Sequence, residues 1–297
     1  MAAASLPRVG IVFRPQLPPE RLREFVASAE TAGRDDVWLW EDCFLEGGLT
    51  SASAALSGSG SVRVGLGLMP APLRNPALAA MEVATLARLF PGRFVPAAGH
   101  GVLPWMDQAG ARAASLMTLL REWVSAVRSL LHGETVTVSG QYVRLSQVAL
   151  DWPPPAVPPL LVGARGPRTL ALAGEIADGL VLDAGGISPD AVRRAVATAA
   201  ARRAHEVVVY VPCAAGEHAR ERLEAELTAS PVPLSERAAF GDAADVARTL
   251  RSFADAGATT VVLQPTGTDP DPEATLMLAG AARSLRRGDG GPPAGGS

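Results

Sequence analysis

The chain has 297 residues, is 48% hydrophobic and 19% charged, and carries a formal net charge of −3. This is an ordinary globular composition, and the weak negative charge excludes a nucleic-acid surface, which needs a basic field. All 27 cationic side chains are arginine, so lysine is excluded as a Schiff-base former or phosphate binder.

Short apolar runs alternate with helical patterns along the whole chain. Val9–Phe13 reads as a first strand. Pro18–Ala32 reads as a helix with Leu22, Phe25, Val26 and Ala29 on one face, ended by Gly33. Val37–Trp40 is a second strand, Thr50–Leu56 a short helix and Val62–Met69 a third strand. A helix from Pro76 to about Phe90 precedes a fourth strand, Arg93–Ala98, which Pro96 weakens because proline cannot donate to a ladder.

Ala113–Leu131 is a long amphipathic helix, and Glu134–Leu145 reads as a hairpin around Ser139-Gly140. A proline-rich loop, Trp152–Pro159, leads to strand five at Leu160, followed by a helix over Arg168–Ala177. Strand six is Gly179–Leu182 and strand seven Glu206–Val211, with helices expected at Pro189–Arg203, Glu217–Thr228 and Ala243–Ala256. Strand eight is Thr259–Leu263, and a last helix is expected at Pro272–Arg286.

Eight short apolar strands separated by helices predict an α/β fold with a parallel sheet covered by helices. The count of eight and the length favour a closed (β/α)8 TIM barrel with an insertion, Glu134–Pro159, before strand five. Residues 1–287 are expected to form one domain, and the Gly/Pro-rich 288–297 a disordered tail. A doubly wound open sheet is the alternative. No Gly-x-Gly-x-x-Gly follows the first strand, so a Rossmann dinucleotide site is unsupported.

No run of about 18 apolar residues predicts a membrane span. Met1–Arg8 lacks the apolar core of a secretory signal, and a cytoplasmic location is expected. Cys43 and Cys213 are too few and too distant for a disulfide framework, and each is expected buried and reduced. His132, His205 and His218 lie far apart with no ligand spacing, so no metal site is expected.

In a barrel the chemistry sits at the C-terminal strand ends, so Trp40-Glu41-Asp42, Gly67-Leu68, Gly99-His100-Gly101 and Gly163–Gly166 should converge on one cleft. Gly163-Ala164-Arg165-Gly166-Pro167 lies at a strand-to-helix turn. Small residues there let the backbone approach a ligand, and the helix start beyond them favours an anion. Pro167 fits the first helical position, and Arg165 offers a charge-assisted bond to phosphate.

Four stretches, in order, resemble the bacterial luciferase-like family of flavin- or deazaflavin-dependent oxidoreductases. They are Trp38–Asp42; Val64–Pro70 followed by Arg74-Asn75-Pro76; Gly92-Arg93-Phe94 followed by Gly99-His100-Gly101; and Gly163–Pro167 followed by Ala173–Gly179. The resemblance implies a barrel with FMN or the F-420 deazaflavin across its upper end, used for hydride transfer or monooxygenation of a small organic substrate. It implies cofactor contacts from Gly67, Leu68, Met69, Gly99 and Gly101, and phosphate contacts from Gly163, Ala164, Arg165, Gly166 and Pro167. It also implies a non-proline cis peptide between Gly67 and Leu68, behind the ring, and pairing of two copies through helices near strands two and three. The arginine-only cations and abundant alanine and proline fit a GC-rich genome, in which the deazaflavin is common, and favour it over FMN.

Many relatives carry an acid followed by histidine after strand two. Here the pair is Glu41-Asp42, and His100, two residues past strand four, is the compensating candidate for proton handling. Asp42, Glu41 and His100 are thus the candidate catalytic groups, with Trp40 and Trp105 as pocket walls. The missing histidine leaves open a non-catalytic flavin-binding protein of the same fold, and a barrel scaffold without cofactor is the third reading. Substrate identity is not legible in the loops near Cys43–Leu49, Val102–Gly110 and Leu234–Asp242.

Overall fold

The computed structural model describes residues 7–200, 206–227, 229–269, 274–278 and 280–281. The expected tail, 288–297, and His205 lie outside them, as do both ends expected for the last helix, of which 274–278 is helical.

Eight parallel strands close a barrel. They are β1 (Arg8–Val12), β2 (Asp36–Leu39), β3 (Arg63–Pro70), β4 (Phe94–Gly99), β7 (Leu161–Gly163), β8 (Gly179–Leu182), β9 (Glu206–Cys213) and β10 (Thr260–Pro265). Their order around the barrel is β1-β10-β9-β8-β7-β4-β3-β2, so the open-sheet alternative falls. The remaining strands, β5 (Val136–Ser139) and β6 (Arg144–Val148), form an antiparallel hairpin ahead of β7. That hairpin is the expected insertion before the fifth barrel strand. Each βα connection needs a crossover helix because parallel neighbours cannot be joined by a tight turn.

The helices follow in chain order: α1 (Leu22–Thr31), α2 (Gly48–Ser57), α3 (Pro76–Leu89), α4 (Leu103–Gln108), α5 (Leu116–Leu131), α6 (Pro167–Ile176), α7 (Pro189–Ala199), α8 (Ala219–Glu226), α9 (Leu234–Arg237) and α10 (Ala243–Asp255). Their starts follow local chemistry. Asn75 caps α3 by accepting from the Ala77 amide, and Asp242 and Asp245 form a capping box on α10. α5 begins three residues later than expected because the Ser115 hydroxyl caps it, accepting from the Thr118 amide.

Side chains pointing outward from the strands merge with the helices in the main core, which includes Val64, Leu66, Phe94 and Leu120. Those pointing inward form a separate core of Val12, Trp38, Val95, Leu161, Val208, Tyr210 and Val262. Trp38 fills the barrel because its neighbour across the ladder is Gly65. A Cβ on Gly65 would overlap the Trp38 ring atoms Cδ2, Cε2 and Cε3, the last at 2.5 Å. Gly65→Ala is therefore expected to destabilise the protein by about 1–3 kcal/mol through overpacking. Urea unfolding checks it: an unchanged midpoint would mean that the indole can move aside.

The β3–β4 register runs to Leu66↔Pro96, breaks, and resumes at Met69↔Ala98. Pro96 brings no N–H to the ladder at that break. The bulge places two β3 residues, Gly67 and Leu68, against one on β4. The Gly67–Leu68 peptide is cis, and so is Cys43–Phe44.

An ion network closes the barrel's lower end, at the first residues of the strands. Asp36, fully buried, accepts from Arg63 Nε at 3.0 Å and Nη2 at 2.8 Å, and from Arg8 Nε at 3.0 Å. Arg63 also donates to Glu206 at 2.6 Å. These carboxylates raise the Arg63 guanidinium above its ordinary range despite its burial. The lower end is thus filled by charge, and the open end is the upper one.

Candidate active site

A cleft of about 670 Å³ opens at the C-terminal ends of the strands. The loops after β2, β3, β4 and β7 all reach it. Glu41, Asp42, Gly67, Leu68, His100, Gly101, Gly163, Ala164 and Arg165 line it, with Trp40 and Trp105 as walls. Four expected contact residues do not line it. Met69 is fully buried in the main core, because the bulge at Gly67-Leu68 returns it to the outer face of β3. Gly99 sits behind the lining, where a Cβ would press on the Leu68 side chain, 2.6 Å from Cδ2. Gly166 is the residue preceding α6, and Pro167 faces an adjoining groove between α6 and α7 rather than the cleft itself.

His100 lies one residue beyond β4, between glycines. Its Nδ1 is 2.9 Å from the Gly101 carbonyl oxygen. A carbonyl only accepts, so Nδ1 carries the hydrogen and Nε2 is the nitrogen left for the cleft. Gly101 adopts φ +72°, where a side chain would be strained, and a Cβ there would meet the Met106 sulfur at 2.9 Å. The turn that aims the imidazole therefore requires glycine.

Glu41 and Asp42 diverge in role. Glu41 is held by Arg74 in a two-pronged pair, 2.7 and 2.6 Å, so its carboxylate is engaged by a cation at the cleft wall. Asp42 is half-buried. Burial pushes its carboxyl above the usual range, and the Arg14 charge pulls it partly back. Arg14 stacks over Trp40, 5.3 Å from the ring centroid, and donates to Glu226 and to the Pro265 carbonyl, each at 3.0 Å. Cys43 is partly exposed rather than buried as expected, and burial and the neighbouring carboxylates push its thiol up, away from thiolate chemistry.

Tyr210, Asp183 and Gln264 also line the cleft. The buried Tyr210 hydroxyl donates to the Gly67 carbonyl at 3.4 Å and stacks edge-on against both Trp38 and Trp40. The β9 pattern places Tyr210 inward, but an inward tyrosine carries no signal of its own. In the turn after β7, Arg165 donates to Asp183 through Nη2 at 2.5 Å and Nε at 3.1 Å. Arg165 is 73% exposed and keeps further donors, since a guanidinium has five. α6 begins with Pro167, and no side chain caps its first-turn amides, which leaves them for an external acceptor.

Among the described residues, no group of three or more His, Cys, Asp or Glu side chains is placed to hold a metal ion. No helix among them is long and apolar enough to cross a membrane.

The sequence profile of the luciferase-like monooxygenase family matches residues 6–262. The chain belongs to that family. The 5,10-methylenetetrahydromethanopterin reductase of Methanolobus tindarius is 28% identical over 175 residues, covering 59% of this chain and 53% of that protein. The F420-dependent glucose-6-phosphate dehydrogenase of Nakamurella multipartita is 32% identical over 190 residues, covering 57% of this chain and 54% of that protein. The chain thus spans about half the length of the curated relatives it matches. An F420-dependent secondary alcohol dehydrogenase in complex with an F420-acetone adduct shares the fold, with a TM-score of 0.80 and 20% identity, over 94% of this chain and 100% of that one. So does the FMN-bound oxygenating constituent of 3,6-diketocamphane monooxygenase from Pseudomonas putida, with a TM-score of 0.75 and 15% identity, over 93% and 97%.

Within this family member, the raised Asp42 carboxyl gives a signed expectation. The folded protein holds that proton to higher pH than the unfolded chain does. The contribution is therefore fully present below the ordinary carboxylate range and is lost as pH rises through the raised value. Asp42→Asn is expected to raise the melting midpoint in neutral buffer and leave it unchanged in acid. Melts of both proteins across that range check it, and a lower neutral midpoint for the variant would contradict it.

Proposed function

We propose that this protein is an oxidoreductase that binds the deazaflavin F420, or FMN, in the upper cleft and acts on a small organic substrate. One observation carries the reading. Arg165, in the turn that leads into the uncapped start of α6, and the bulged, glycine-flanked strand end at Gly67-Leu68 line the same cleft, with His100 on its wall. That matches a molecule with a planar ring at one end and an anionic group at the other. The first-turn amides of α6, Ala164 and Arg165 would hold the phosphate, and Leu68, His100 and Gly101 would border the ring. Relatives named for F420 support the deazaflavin over FMN.

The bound cofactor supplies hydride transfer, or oxygen activation in its reduced flavin form. The chain's own residues exclude water and move protons. Trp40, Trp105 and Leu68 wall the site, and His100 Nε2 and the Asp42 carboxyl are the groups for general acid–base work. A cytoplasmic location goes with this reading, and the two free thiols support it. We also infer a homodimer. Leu78, Met81 and Leu89 form one exposed apolar face on α3, the helix after β3, and a second copy would cover it.

Fluorescence and absorbance titrations with F420 and FMN test the reading. Saturable F420 binding is the expected result. Tight FMN binding without F420 affinity would overturn the cofactor preference, and binding of neither would overturn the function.

A further inference from the structure

The loop between β2 and α2, residues 43–47, carries its polarity inside out. It starts directly after Asp42 on the cleft wall. Phe44 is 67% exposed and Leu45 is 56% exposed, yet the acid that follows them is turned inward. Both carboxylate oxygens of Glu46 are shielded from solvent, and neither has a hydrogen-bond partner among the described residues. A buried polar group without a partner is costly, and an aromatic ring in water forgoes the gain of burial. Burial also pushes the Glu46 carboxyl above its usual range.

One rearrangement of this loop would relieve both. α2 starts with no side-chain cap, so its first-turn amides are free to face a Glu46 carboxylate turned outward, where the helix dipole favours an anion. β2, β3 and β4 are neighbours in that order, so the loops after β2 and β4 flank the end of β3 at Gly67-Leu68, about 10 Å apart at two strand spacings. The loop after β4 brings Val102, Leu103 and Trp105 to the cleft, and Val102 is exposed. Phe44 lies two residues past Asp42. Two residues of extended chain span about 7 Å, and the ring supplies the remainder.

We propose that residues 43–47 are a two-state cap over the cleft. In the state described above, the cap is open. In the closed state Phe44 and Leu45 fold across Leu68 against Val102 and Trp105, and Glu46 turns out to water beside the start of α2. A molecule in the cleft favours closure, because it offers Phe44 a surface that the open state lacks. Closure excludes water from Asp42 and His100. The inference rests on the proposed cofactor reading, which supplies the molecule that fills the cleft.

The test uses the full chain with F420 or, should only FMN bind, with FMN. Chymotrypsin cuts after exposed Phe44 and Leu45, and the fragments are identified by mass. Saturating cofactor is expected to slow those cuts at least about tenfold, as a cap mostly closed in the complex requires. Phe44→Ser removes a side chain that is exposed in the free protein. The free melting midpoint should therefore stay at the parent value, while the cofactor dissociation constant rises about tenfold, the fold-change that follows from about 1.5 kcal/mol for burying a large apolar side chain. Glu46→Met replaces the partnerless acid with an apolar chain of similar length and so favours the open state. Its free melting midpoint should rise, while cofactor binding weakens about fivefold, the lower end of what an unsatisfied buried group costs. A mere packing defect at Glu46 would raise the midpoint and leave binding alone. Should Glu46→Met not fold, Phe44→Ser and the cleavage rates decide. Unchanged cofactor affinity in Phe44→Ser, cleavage undiminished in the complex, or dissociation of a dimer by Phe44→Ser would each overturn the inference and leave the cofactor reading intact. Binding of neither cofactor to the parent would overturn both.

Discussion

Replacing His100 with glutamine is expected to lower turnover about 100- to 10,000-fold, the range that a positioned proton-transfer group contributes. β4 ends at Gly99, and Gly101 turns the chain through φ +72°, so the one side chain between them is presented at the strand's C-terminal end. The bond from Nδ1 to the Gly101 carbonyl fixes the ring's plane and tautomer, leaving Nε2 as the only nitrogen able to exchange a proton with a substrate. Glutamine keeps polarity and approximate volume but cannot titrate. Cofactor affinity should therefore change little while turnover falls. Pre-steady-state measurement of cofactor reduction separates the two. If the parent binds cofactor but neither oxidises nor reduces it with any of a broad substrate panel, and His100→Gln and Asp42→Asn leave cofactor reactivity untouched, the non-catalytic reading of the fold replaces the present one.

Asp36→Ala is expected to cost about 3 kcal/mol of stability, the lower end of the range for breaking a buried ion pair. The loss comes from what remains. Arg63 would keep Glu206 but lose two charge-assisted bonds, and its guanidinium is largely buried beneath the barrel. For a chain of this size that corresponds to a fall of about 6–12 °C in melting midpoint. The folded fraction should turn over at the parent rate, because the network lies at the first residues of β1, β2, β3, β9 and β10, opposite the cleft. A melting point within experimental error of the parent, or a selective loss of turnover without loss of stability, would contradict this division between a structural lower end and a chemical upper one.

The barrel was legible because its signals are local. Each strand is a short apolar run, each crossover a periodic helix, and Pro167 marks a helix start through its own missing N–H. The hairpin insertion was legible for the same reason. What was not legible depends on partners distant in sequence. Arg165 reads as a free phosphate ligand until Asp183, 18 residues on, is seen against it. Glu41 reads as an unpaired carboxylate until Arg74, 33 residues away, closes on it. The family resemblance implies a cleft contact for Met69, and the bulge between Leu66 and Met69 turns that side chain to the outer face instead. α4 was missed because six residues are too few to show a helical period.

In the proposed complex the turn into α6 holds the phosphate of a redox cofactor and the Gly67-Leu68 bulge borders its ring. A crystal structure of the protein with F420 tests it most directly. The predicted result is a phosphate within hydrogen-bond distance of the Arg168 and Thr169 amides, with the ring against Leu68 and beside His100. A cofactor bound elsewhere, or with its phosphate pointing away from α6, would contradict it.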